Sequence, residues 1–174
     1  MILLAGVGYS DLSDLSFGPR LVERLRDEPW PAEVRLENLS YGPIAVVHWL
    51  EDHAGRFERA IFFGAVERGR EPGTLAIYPW IGDRVAPQDV QACVSEAVTG
   101  IISLENLLAI AHHFGVLPSE TYVLELEPAE LGWGAVLSPL GERRVEEAAA
   151  WIRRQVRSAA HAGNGHREEV RRKT

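Results

Sequence analysis

Asp11 and Asp14 follow Gly6 and Gly8 in the stretch AGVGYSDLSDLSFGPRL. Two carboxylates beside a glycine turn suggest either a metal site or a nucleotide site. The dinucleotide reading is weak, because Asp11 stands where a G-x-G-x-x-G fingerprint has its third glycine, and acidic side chains repel a pyrophosphate. A second candidate is the loop ERGREPG, where Glu67 adjoins Arg68 and Arg70. Paired guanidinium donors suit a substrate carboxylate or the acidic tail of a partner, and solvation alone is the competing reading. Glu105 begins a helical stretch and completes a set of three carboxylates with Asp14 and Glu67. Such an all-oxygen cluster suits magnesium or calcium better than nickel. Trp133, Trp80 and Tyr78 are candidate interface aromatics, since aromatics with arginine anchor many interfaces.

Other polar residues have simpler explanations. His48 reads as a half-buried packing residue with no nucleophile beside it. His112 and His113 sit near a helix C-terminus, where an imidazolium complements the dipole. Ser103 reads as a helix start, and Ser138 with Pro139 as the turn before the last helix.

The elements that position these residues alternate along the chain. MILLAGVG is a buried strand feeding a tight turn, and FGPRLVERLRDE places Phe17, Leu21 and Leu25 at helical spacing. AEVRLENLS alternates as a strand, GPIAVVHWLEDHAGRF returns to helical period, and RAIFFGAV is a fully apolar strand. LAIYPW adds a strand or the second arm of a hairpin. Two helices follow, divided near Gly100, then the strand ETYVLELEP, then an amphipathic helix with Val145, Ala149, Ile152 and Val156 on one side. This order predicts an α/β fold of three layers, a twisted, mainly parallel sheet of about five strands flanked by helices. In such a sheet ligands bind beyond the carboxyl ends of the strands, which directs attention to the loops after LLAGVG and IFFGAV.

With 174 residues and 46% hydrophobic content, one domain over residues 1–160 is expected. Residues 161–174, HAGNGHREEVRRKT, read as a frayed or disordered tail, although His161 and His166 offer imidazoles to a stray metal ion. The net charge of -7 argues against nucleic acid and anionic membrane surfaces as partners. A single cysteine, Cys93, excludes an intrachain disulfide framework. With no basic leader segment and no long apolar run, a cytoplasmic location is expected.

Four segments in order, over roughly residues 1–156, resemble the hydrogenase maturation protease family, endopeptidases that trim the C-terminus of the nickel-iron hydrogenase large subunit. They are the opening turn with Gly6, Gly8, Asp14 and Gly18, then GAVERGREPGTL, TGIISLENLLAIA and LEPAELGWGAVLSP. The resemblance implies a site built from a carboxylate in the first loop, an aspartate ending the central strand and a histidine on a later helix. In the family these ligands are thought to grip nickel already inserted in the substrate. Carried over position by position they fall on Leu15, Gly64 and Gly100, none of which can bind a metal. The resemblance therefore implies a maturation factor that recognises the large subunit or its precursor, without proteolysis and with no cofactor of its own. Asp11, Asp14, Arg68, Arg70 and Trp133 are its expected binding residues.

Two alternatives stay open. One is an active endopeptidase with a relocated site using Asp14, Glu67 or Glu105 on nickel carried by the substrate. The other is a small-molecule or nucleotide-binding α/β module.

Overall fold

The apolar run at the start of the chain forms β1 (Ile2–Gly6), flanked in parallel by β2 (Val34–Asn38) and β3 (Arg59–Ala65). Beyond β3 lies β5 (Glu120–Leu126), also parallel, and the edge is closed by β4 (Leu75–Pro79), antiparallel to β5. The order β2-β1-β3-β5-β4 is a five-stranded, mainly parallel sheet, as its alternating elements predict. LAIYPW is not the second arm of a hairpin with β3, because β5 lies between them. The computed structural model describes residues 1–82, 87–98 and 102–171.

Helices cover both faces. The strand side chains Leu4, Ile61, Phe63, Leu124 and Leu126 pack with Phe17, Leu21 and Leu25 of α1 (Phe17–Arg26) and with Val145, Ala149, Ile152 and Val156 of α5 (Pro139–Arg171). Alternate strand residues Leu3, Ala5, Phe62 and Val123 point the other way. They meet Val46 and Leu50 of α2 (Pro43–Asp52) and Leu107, Leu108 and Ile110 of α4 (Leu104–His113). Helix α3 (Pro87–Val98) packs beside α4, with Cys93 half-buried against this second core. The period-two alternation of the strands thus divides one sheet between two cores.

Helix α1 comes close to β1 because glycine faces glycine there. A Cβ on Gly18 would lie 2.2 Å from the Val7 carbonyl oxygen, and one on Gly6 would lie 2.6 Å from that of Gly18. Both positions need the missing side chain for close approach.

One expectation needs correction: His48 is exposed on the outer side of α2 rather than half-buried. The backbone of α5 runs to Arg171 and includes Gly163 and Gly165. Each glycine costs about 1 kcal/mol there relative to alanine, and the surrounding alanine, arginine and glutamate favour the helix. Among the described residues, no helix is long and apolar enough to cross a membrane.

Candidate functional site

The crossover reverses at β1, with β2 on one side and β3 on the other, so the loops after β1, β3 and β5 gather beyond the carboxyl ends of the strands. The register sets Gly6 opposite Phe63 and Gly64 opposite Glu125, which levels these ends.

Asp14 is fully buried in this gathering, within a short 3-10 turn over Ser13–Ser16. Its Oδ2 accepts from the amides of Ala129 at 2.8 Å and Glu130 at 3.1 Å and from the Ser138 hydroxyl at 2.8 Å; its Oδ1 accepts from the Ser138 amide at 2.8 Å. Ser138 Oγ also accepts from the Gly141 amide at 3.0 Å and so caps α5. Pro139 follows at the first helical position, where its missing N–H is harmless. A Cβ on Gly141 would come within 2.4 Å of Asp14 Oδ1, so only glycine lets the helix start against the carboxylate. The negative group also faces the positive end of the α5 dipole. Asp14 therefore binds the protein's own loop 129–138, and its lone pairs are occupied.

The same loop pairs with the first one. The Ser13 amide donates to the Gly134 carbonyl at 3.0 Å, the Gly134 amide donates to the Asp11 carbonyl at 3.0 Å, and Arg20 donates to the Ala135 carbonyl. Asp11 and Ser13 adopt φ of 58° and 44°, a region sparsely used by residues other than glycine. Tyr9 closes the far side, its hydroxyl accepting from the Ile102 amide at 2.8 Å ahead of α4. Asp11 itself is exposed.

The ERGRE loop after β3 is held by Glu125 near the end of β5 and by Glu127 just beyond it. Glu127 accepts from the amides of Arg68 at 2.9 Å and Gly69 at 3.1 Å. Glu125, 1% exposed, accepts from Arg68 Nη2 at 2.8 Å, Arg70 Nη2 at 3.0 Å and the Tyr78 hydroxyl at 2.5 Å. Arg68 Nη1 reaches Glu105 on α4 at 2.6 Å. Burial pushes the Glu125 carboxyl up, but the bonds from Arg68, Tyr78 and Arg70 outweigh it and hold the group below the ordinary value of 4.5. Burial, then the bond to Glu125, pushes the Tyr78 phenol up to about 12.

The expected site residues separate accordingly. Arg68 and Arg70 are tied to Glu125 inside the chain. Glu67 is exposed, Glu105 pairs with Arg68, and Asp14 is enclosed, so these three carboxylates do not meet at one point. Among the described residues, no group of three His, Cys, Asp or Glu side chains is placed to hold a metal ion. Leu15 lies in the 3-10 turn, and Gly100 lies outside the described residues. At Gly64 a Cβ would sit 2.6 Å from the Val7 carbonyl oxygen and 3.3 Å from Leu104 Cδ2, so backbone and an apolar side chain occupy the space a ligand would need. Among the described residues, the donors at these positions do not fit a metal.

Trp80 is half-buried against the core and Tyr78 is half-buried at Glu125. Trp133 is different, at 89% exposed. Ser103 caps α4 as its sequence predicts, accepting from the Asn106 amide at 3.2 Å. His112 and His113 lie in the last turn of α4. Sequence reasoning missed Glu125 and Glu127. The signal was present: two glutamates two residues apart at one strand end, and an Arg-x-Arg loop after another.

No family model matches the sequence. The chain is 28% identical over 161 residues to the hydrogenase expression/formation protein HupD of Rhodobacter capsulatus, covering 90% of this chain and 71% of that protein. It is 33% identical over 132 residues to the hydrogenase expression/formation protein HupM of Azotobacter chroococcum mcd 1, covering 75% of this chain and 58% of that protein. Against the latter it thus spans less than two thirds of the relative's length. Among solved structures, the hydrogenase maturating endopeptidase HybD from E. coli superposes with a TM-score of 0.68 at 25% identity, over 91% of this chain and 93% of that one.

The geometry sets two expectations. Asp14→Asn replaces one acceptor oxygen with an amide that points donors at donors, and should lower unfolding stability by about 3 kcal/mol in urea titration; an unchanged midpoint would deny Asp14 its holding role. Glu125→Gln should lower stability by about 2 kcal/mol at neutral pH, a buried-pair loss discounted for the partly exposed arginines. Because the folded carboxyl is depressed, its contribution is complete above the unfolded value near 4.5 and is lost as pH falls through the lower folded value. The gap between wild type and variant should therefore be constant above about pH 5 and close below it. A gap that widens with acid would contradict the assignment.

Proposed function

The chain has the fold of the hydrogenase maturation proteases and is a sequence relative of hydrogenase expression/formation proteins; from that premise we propose that it recognises a nickel-iron hydrogenase large-subunit precursor without cleaving it. The observation that carries this reading is Gly64, closed in by the Val7 carbonyl and Leu104 where the family resemblance expects a ligand. With Leu15 at the first position, two of the three expected ligands have no donor atom to offer. No proteolytic step is assigned to this chain, and any nickel present belongs to the precursor as cargo.

What supports recognition is the state of the loops beyond the sheet. The loops after β1 and β5 are tied to each other through Asp14, and the loop after β3 is tied to β5 through Glu125 and Glu127. Loops fixed in this way lose little conformational entropy on meeting a partner. A scaffold can thus keep its binding surface after its ligand positions have changed.

Incubation of the purified chain with nickel-loaded, unprocessed large subunit tests the reading, with sizing-column co-migration and intact mass as the two readouts. Co-migration with an unchanged large-subunit mass is expected. Loss of the C-terminal extension would overturn the non-proteolytic part and direct attention back to Asp14, Glu67 and Glu105, while failure to co-migrate would overturn recognition.

A further inference from the structure

The loop that Asp14 holds carries an unusual load. Over residues 131–136, Leu131 is 56% exposed, Trp133 89% and Val136 68%. Single exposed apolar residues are ordinary, but three on one short loop are a concentration worth explaining. This loop is also fixed: its backbone is bound by Asp14 at Ala129, Glu130 and Ser138, by Ser13 and Asp11 at Gly134, and by Arg20 at Ala135. The bonds that fix the loop serve Asp14 and the cap of α5, but leaving the loop's largest apolar side chain in water gains nothing for the isolated fold. It does prepare an anchor, because a pre-positioned tryptophan buries a large area at little ordering cost.

The charges beside the loop indicate what it meets. Glu130 is exposed in the loop and Asp11 is exposed beside it. Arg20, bound to the loop at Ala135, lies within the field of Glu23, Glu142 and Asp11. Arg20 is itself paired with Glu23 at 2.8 Å. The rim is acidic, in a chain of net charge -7.

We propose that the loop over residues 130–136 is a docking anchor, with Trp133 inserting into an apolar pocket on a partner protein whose pocket rim carries lysine or arginine. The inference rests on the reading above, and the partner is the large-subunit precursor. It makes the loop after β5, rather than the loops bearing the family's first two ligand positions, the main source of affinity. The acidic rim speeds encounter and fixes orientation, so its contribution falls with salt.

Binding of the full chain to the unprocessed large subunit should be measured by surface plasmon resonance for wild type, Trp133→Ser and Glu130→Lys, with thermal melts of each. Trp133 is exposed, so both variants should melt with the wild type. Trp133→Ser should weaken binding about thirty-fold or more, as truncation of a central anchor does. Glu130→Lys should slow association several-fold at low salt and much less at high salt. If wild type binds and Trp133→Ser binds within twofold of it, the anchor is overturned while recognition stands. If wild type does not bind, both fall together. Self-association of the wild type abolished by Trp133→Ser, with precursor binding intact, would place a second copy on the loop and overturn the proposal.

Discussion

A buried carboxylate with no cationic partner among the described residues organises the site end of this molecule. Asp14 lies at 0% exposure and is kept there by three backbone amides and one hydroxyl. Burying such a group is strongly unfavourable unless its acceptor sites are filled. Here filling them does structural work twice, because the same donors fix the path of loop 129–138 and the first turn of α5. Gly141 completes the fit by leaving room for the carboxylate at the helix start. Removing the group would therefore disturb the loop after β5, the cap of the longest helix and the strained turn at Asp11 and Ser13 together.

A second buried carboxylate repeats the principle with charges. Glu125 sits at the end of an interior strand, and two guanidinium groups and a phenol converge on it. Together with Glu127 it turns the ERGRE loop inward. The arginines that look in sequence like a free anion-binding pair are thus engaged with the protein itself, and the carboxylates of the region are structural ties. Where the family resemblance expects a ligand, Gly64 lies under the Val7 carbonyl and against Leu104. The end of β3 is a packing junction.

Much of this architecture was legible in the residues. The apolar runs of β1 and β3, the Phe17, Leu21, Leu25 stripe and the Val145, Ala149, Ile152, Val156 stripe are periodic signals, and both stripes are buried where their spacing places them. The cap at Ser103 and the turn at Ser138 and Pro139 follow from local chemistry. What escaped depends on contacts distant in sequence. Alternation in ETYVLELEP marks a strand but not its neighbours; β5 lies between β3 and β4 with helices on either side, so Glu125 and Glu127 are buried and need partners brought from the ERGRE loop. Asp14 meets groups 115 to 124 residues away, which no local pattern announces. His48 misled because α2 buries only part of its circumference, and its residue type does not state which side it faces.

The central claim is that the Asp14-held loop is a preformed recognition surface. Hydrogen exchange read by mass spectrometry, on the chain alone and with the unprocessed large subunit, tests it most directly. Slow exchange across 129–138 in the free chain is expected, with added protection at 130–136 on binding and no change in large-subunit mass. Fast exchange across 129–138 in the free chain, or protection appearing only away from this loop, would contradict the account.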